Sequence, residues 1–97
     1  MSVSPLLRSD QLELNPLFVL RWEDAQQAHI LLYPEGMVRL NPTAGQILTL
    51  NQSFAVIGDL IDHLTAQYDD PSLADDVINF LTVCVEKNWL RHAPVTA

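Results

Sequence analysis

The residues of this sequence that could bind a metal ion are few, and their spacing does not favour a metal site. His63 follows Asp59 by four residues, so the two share a helix face, but such a pair is more often a solvated surface contact than a ligand pair. The acidic segment at 69–76 lacks the alternating ligands and central glycine of a calcium loop. We therefore interpret it as a loop and a helix start.

Candidate catalytic groups are equally sparse. Cys84 is the single cysteine and lies in an apolar helical pattern with no base placed near it, which is typical of a buried core thiol rather than a nucleophile. The carboxylate pairs Glu23-Asp24 and Asp75-Asp76 are adjacent in sequence, which does not make an acid–base pair. The three glycines are too widely spaced for a phosphate-binding loop. We predict that the protein is not an enzyme and that it uses no metal and no cofactor.

Composition narrows the classes of partner. The chain has 97 residues, enough for one domain, and 48% of them are hydrophobic, which can fill one core. Five Lys and Arg against 12 Asp and Glu give a net charge of −7, which argues against nucleic acid and anionic membrane as partners. No apolar stretch has the ~20 residues of a membrane span, and the start lacks a signal-peptide pattern. With a single cysteine, these features predict a soluble cytoplasmic domain.

Three runs of β-forming residues predict an antiparallel sheet. They are "LFVLRW" at 17–22, "AHILLY" at 28–33 and "MVRLN" at 37–41. Pro34 presets φ and Gly36 tolerates positive φ, so the second and third runs are expected to form a hairpin with a three-residue loop and a bulge at Gly36. The third strand is short and has no sign of a further partner in the chain. Its outer side is therefore a candidate free edge.

Three helices are predicted after the sheet, at about 43–50, 55–67 and 73–88. Asn41 and Pro42 are typical of an N-cap and a first helical residue. Ser72 and Asp75 resemble a capping box for the third helix, and Asn88 could close it in the left-handed conformation. Residues 1–16 are expected to be a loosely ordered tail or arm, and residues 17–97 a single domain. The expected fold is α+β: a winged-helix-like domain with a three-stranded antiparallel sheet followed by three helices.

The third predicted helix has more apolar surface than one neighbour can cover. Leu73, Val77, Phe80, Leu81 and Cys84 form one stripe, and Ile78 and Val85 widen it to roughly 160°. Either the helix is buried between two neighbours, or part of this arc lines a groove for a partner. A winged-helix-like domain could also bind DNA. However, the second helix has no Lys or Arg and the third has only Lys87, which argues against a DNA reader.

The segment "RWEDAQQAHILLYPEGMVRLNPTAGQIL", residues 21–48, resembles the coenzyme PQQ (pyrroloquinoline quinone) synthesis protein D family. Its most characteristic part is "LLYPEGMVRLN". The positions that extend the likeness are Ala44, Gly45, Ile47, Leu48, Leu60, Leu64, Tyr68, "ADDVINFL" and "NWL", so that it covers residues 17–90. Two turns depart from the family pattern: Gln52-Ser53 stands where members usually carry Asp-Gly, and Asn88 where they usually carry Gly.

What the resemblance implies is a peptide chaperone rather than a catalyst. Members of this family bind the ribosomally made precursor peptide of PQQ. They present it to a radical S-adenosylmethionine enzyme, which cross-links a Glu and a Tyr of the peptide. The family fold is a winged-helix-like peptide recognition element, in which the peptide adds a strand to the free edge of the third strand and rests against the third helix.

On this interpretation the free edge and the wide apolar arc have a common purpose. The residues expected to contact the peptide are Met37, Val38, Arg39, Leu40 and Asn41 on the strand, and Ile78, Leu81 and Val85 on the helix. The backbone groups of the strand would pair with the peptide, and apolar pockets would select its side chains. Arg39 could meet an acidic residue of the peptide; the alternative is a solvated strand residue.

Other functions remain open at the level of the sequence. The protein could be an accessory subunit that docks on the radical enzyme without holding the peptide, since the same apolar arc could serve that interface. A weaker alternative is an acidic DNA-binding regulator. An open strand edge also allows a homodimer. No feature of the sequence predicts a nucleic acid or a membrane as partner.

Overall fold

The computed structural model describes residues 6–93, which form five strands and three helices. In chain order the elements are β1 (Leu12–Leu14), β2 (Val19–Glu23), β3 (Ala28–Tyr33), β4 (Gly36–Arg39), α1 (Pro42–Ser53), α2 (Ile57–Tyr68), α3 (Leu73–Glu86) and β5 (Leu90–His92). Strands β2, β3 and β4 make an antiparallel sheet in that order, and β1 pairs with β5. The predicted α+β fold, with a three-stranded antiparallel sheet followed by three helices, is confirmed.

The β3–β4 hairpin has a tighter turn than expected. Tyr33 is paired with Gly36, so the loop contains two residues, Pro34 and Glu35. The predicted three-residue loop with a bulge at Gly36 is wrong, because Gly36 belongs to β4 and keeps the regular register. Pro34 still supplies the fixed φ that begins the turn.

The ends of the helices confirm two sequence predictions and correct a third. The Asn41 side chain accepts a 2.7 Å hydrogen bond from the Ala44 N–H at the start of α1. Asn88, with φ of 64°, has the expected left-handed conformation just after α3. The capping box at the start of α3 does not form. The Ser72 hydroxyl donates to the Asp70 carboxylate at 2.6 Å. The Ser72 backbone is helical, with φ of −68° and ψ of −16°, in place of the extended conformation of an N-cap, and no side-chain capping bond forms.

Two short strands at opposite ends of the chain were not predicted. Residues 12–14, expected to belong to a loose tail or arm, form β1 and pair antiparallel with β5 from Leu12↔His92 to Leu14↔Leu90. Leu12 and Leu90 are buried in the core, and this burial stabilises the pairing. The division of the chain at residue 17 stays a prediction.

The core lies between one face of the sheet and the three helices. Its largest fully buried members include Leu31 from β3, Ile61 from α2 and Leu81 from α3. Gly45 lets α1 approach β3 closely, because a Cβ there would lie 2.6 Å from Nδ1 of His29. Within residues 6–93, no helix is both long and apolar enough to cross a membrane.

Candidate functional site

The outer edge of β4 carries unpaired backbone groups at every second residue. The Leu40 N–H donates to the His29 carbonyl at 3.0 Å, and the register pairs Val38 with Leu31. Backbone groups in an antiparallel pair point alternately toward and away from the partner strand. Val38 and Leu40 therefore bond to β3, whereas the N–H and C=O groups of Met37 and Arg39 and the N–H of Asn41 point away from it.

The sequence predicts that the backbone groups of all five residues Met37–Asn41 pair with a peptide. The alternation along β4 does not allow this. Met37, Arg39 and Asn41 are placed to pair with the peptide. Val38 is half-buried and Leu40 buried, and their side chains pack on the core side of the sheet. β2 also has an outer edge without a partner strand in the described part of the chain, so the question becomes which edge faces a binding surface.

Two cavities lie near the two ends of β4. At one end, a cavity of about 500 Å³ lies between Val38, the β3–β4 turn and the residues that follow α3, including Trp89. At the other end, a cavity of about 680 Å³ lies between Asn41, α1, the end of α2 and the first half of α3. We refer to these two cavities together as the groove; α3 lines the larger one, and the residues that follow α3 line the smaller one.

The face of α3 that borders the groove differs from the one expected. The larger cavity is lined by Leu73, Val77 and Phe80. At 100° per residue, the mean direction of these side chains lies roughly 105° away from that of Ile78, Leu81 and Val85. Sequence periodicity locates the apolar arc, but only the packing of α3 on α2 and β5 decides which part faces the groove.

The predicted helix residues are placed in or against the core. Leu81 is 0% exposed, and Ile78 and Val85 are half-buried against the core cluster. None of the three lines the cavities beside β4. Peptide contact by these residues stays a prediction. The cavity lining favours the half-buried Leu73 and Phe80 in their place; Val77 lines the same cavity but is itself buried, with 3% of its surface exposed.

Charge is unequally distributed around the groove. Asp70 and Asp76 lie at the larger cavity, whereas Glu35 and Lys87, of opposite charge, lie at the smaller one. Arg39 is exposed and directs its guanidinium to the Gln26 carbonyl at 3.3 Å. The Arg39 side chain projects from the face of the sheet opposite Val38, because neighbouring strand residues alternate between faces.

Two of the residues that could do chemistry, His63 and Cys84, are engaged in packing. The His63 ring stacks on Phe54 with centroids 4.8 Å apart. Burial raises the pKa of the Cys84 thiol to about 12, and nearby Lys87 only partly opposes the shift. Among residues 6–93, no three His, Cys, Asp or Glu side chains are grouped so as to hold a metal ion.

The sequence profile of the coenzyme PQQ synthesis protein D family matches residues 28–90, which include the hairpin, all three helices and the groove. The chain belongs to this family. It is 40% identical over 81 residues to the PqqA binding protein of Methylococcus capsulatus, covering 84% of this chain and 87% of that protein. It is 38% identical over 87 residues to the PqqA binding protein of Acinetobacter baylyi, covering 84% and 88% respectively.

A solved structure shares the fold. The solution structure of the PqqD truncation of Methylobacterium extorquens PqqCD matches with a TM-score of 0.68 and 26% identity, over 88% of this chain and 93% of that one. That protein is described as a functional, stand-alone recognition element for ribosomally synthesised and post-translationally modified peptides. The family resemblance seen in the sequence is confirmed.

Proposed function

We propose that this protein is a non-catalytic peptide chaperone of PQQ biosynthesis. It binds the ribosomally made precursor peptide and presents it to the radical S-adenosylmethionine enzyme of the pathway in the cytoplasm. The observation that carries the proposal is the unpaired edge of β4 beside an apolar groove, in a family whose similar members from M. capsulatus and A. baylyi are named PqqA binding proteins.

In the proposed complex the peptide adds a fourth strand to the sheet. Its backbone exchanges hydrogen bonds with Met37 and Arg39 and accepts one from the Asn41 N–H. Every second peptide side chain turns toward α3, where Leu73, Val77 and Phe80 form an apolar wall. The added strand thus gains affinity from its backbone and specificity from its side chains.

The edge is formed before the peptide arrives, because the Pro34-Glu35 turn and the β3–β4 ladder hold it. This matters because ordering a peptide costs about 1–2 kcal/mol per residue in backbone entropy, and a mobile edge would add a similar cost. Pairing of β4 with a second copy would use the same backbone groups. A homodimer of that kind would therefore compete with the peptide.

The test is a titration of the ¹⁵N-labelled protein with its precursor peptide and with a scrambled peptide. We expect saturable amide shifts at Met37, Arg39 and Asn41 and along the Leu73–Phe80 face, with the true peptide only. Shifts centred on Leu20 and Trp22 would move the site to the edge of β2. No shift with the peptide alone, combined with binding of the protein to the radical enzyme, would favour the accessory subunit and refute the chaperone.

A further inference from the structure

The face of the sheet turned away from the helices is partly apolar and exposed. Val19, Leu32 and Met37 form one row across the three strands, in register. Val19 is 55% exposed and Met37 is 56% exposed. We define the outer sheet face as this row together with the next one, Arg21, Ile30 and Arg39.

Ile30 explains how this face is built. It is 2% exposed, although it lies on the side opposite the helices. Its cross-strand neighbours are Arg21 and Arg39, whose long aliphatic stems can cover it while their charged ends stay in water. Because strands are about 4.8 Å apart, the two arginine backbones lie roughly 10 Å from each other on either side of an apolar strip.

These two arginines differ from the other described arginines in their pairing. Arg8 contacts Asp62 at 2.7 Å, and Arg91 contacts Glu13 at 2.6 Å. Arg21 has only a loose contact of 3.8 Å with Glu23, and Arg39 forms no ion pair within residues 6–93. In a chain of net charge −7, two loosely held cations on one apolar face are complementary to a partner that carries carboxylates.

The position of the bound peptide indicates which partner this is. A strand added to β4 would turn every second side chain toward α3 and the others toward the outer sheet face, beside Met37 and Arg39. The α3 side is walled by a helix, whereas the outer side is open. A protein that lies on the outer sheet face can therefore touch the chaperone and the exposed side chains of the peptide together.

We propose that the outer sheet face is the docking surface for the radical enzyme, through an apolar patch on that enzyme bordered by Asp or Glu side chains. This inference rests on the proposed function, since it assigns a surface to the enzyme that receives the peptide. A second copy of this chain fits less well. Two sheets packed face to face around Ile30 would place Arg21 of one copy near Arg39 of the other, and these two positive charges would repel each other.

The experiment measures two affinities for each variant: that for the precursor peptide without enzyme, and that for the radical enzyme. The variants are Val19→Asp and Arg21→Glu, which lie on β2, away from the peptide-binding edge. The matched control is Leu7→Asp, which places a carboxylate at another exposed apolar residue, next to Arg8, whose guanidinium contacts Asp62 of α2. Circular dichroism verifies that each variant is folded.

We expect each of the two β2 variants to bind the enzyme at least about tenfold more weakly, with unchanged peptide affinity. We also expect added salt to weaken enzyme binding by the wild type more than by Arg21→Glu. Wild-type enzyme affinity in both β2 variants, or an equal loss in Leu7→Asp, would overturn the proposed surface. Failure of the wild type to bind the peptide alone would instead refute the proposed function, and the separate titrations distinguish the two results.

Discussion

Replacing Arg39 by proline tests the edge-pairing geometry most directly. The Arg39 N–H points away from β3, so proline removes a donor that is free in the unbound protein and bonded in the complex. Proline is tolerated on edge strands when its missing donor faces outward. We therefore expect the free energy of unfolding to change little beyond the effect of losing the side chain.

The expected loss of peptide affinity follows from one hydrogen bond. A backbone hydrogen bond contributes about 0.5–1.5 kcal/mol net, which corresponds to roughly a two- to thirteen-fold increase in Kd. The proline ring also occupies space that the peptide backbone would use, so this is a lower bound. Arg39→Ala is the matched control, because it removes the same side chain and keeps the N–H. Isothermal titration with the precursor peptide measures both.

Proline at the neighbouring position, Val38, should lower the stability of the fold. The Val38 N–H bonds to β3, so Val38→Pro leaves the Leu31 carbonyl without its partner and should lower the free energy of unfolding by at least about 1–3 kcal/mol.

Equal peptide affinity in Arg39→Pro and Arg39→Ala would refute strand addition at β4. A Val38→Pro variant as stable as the wild type would show that the alternation along β4 has been assigned wrongly.

Four further substitutions test the groove, the core, the cap of α1 and the buried thiol. Phe80→Ala should weaken peptide binding and cost less stability than Leu81→Ala. Leu81→Ala, in a fully buried position, should lower the free energy of unfolding by about 2–5 kcal/mol in chemical denaturation. Weaker peptide binding by Leu81→Ala alone would contradict the assignment of the α3 faces. Asn41→Ala should cost about 1 kcal/mol in the same assay, because α1 loses its cap, and an unchanged midpoint would contradict that role. Because burial raises the pKa of Cys84 to about 12, the folded state holds this proton more tightly than the unfolded one, so stability should fall as pH rises from about 9 toward 12. A Cys84→Ala variant should show a weaker fall in that range, and equal slopes would count against the shift.

The parts of the fold that depend on local signals were predictable. β-forming runs at 19–23 and 28–33, the turn at Pro34 and the cap at Asn41 act within a few residues, and the structure follows them. The capping box at Ser72 was not predictable in the same way. The Ser72 backbone is helical instead of extended, and the spacing of Ser72 and Asp75 in the sequence does not reveal this.

The parts that depend on distant contacts were missed. β1 and β5 have three residues each and form only because the two ends of the described chain meet. The part of α3 that lines the larger cavity could not be chosen from the sequence for a related reason: Phe80 and Ile78 are both apolar, and the packing of α3 on α2 decides which of them lines that cavity. The free edge itself was correctly located, but the alternation that excludes Val38 and Leu40 from peptide pairing required the register of the hairpin.

The pairing of β1 with β5 also connects the two ends of the domain to one end of the groove. Leu12 and His92 are direct partners across the two strands, and the Ala93 N–H donates to the Gln11 carbonyl. Trp89, immediately before β5, lines the smaller cavity, and its carbonyl accepts a hydrogen bond from the Asn15 N–H just after β1. Removing residues 12–15 would therefore leave β5 without its partner strand and disturb this end of the groove, although these residues lie far from Trp89 in the sequence.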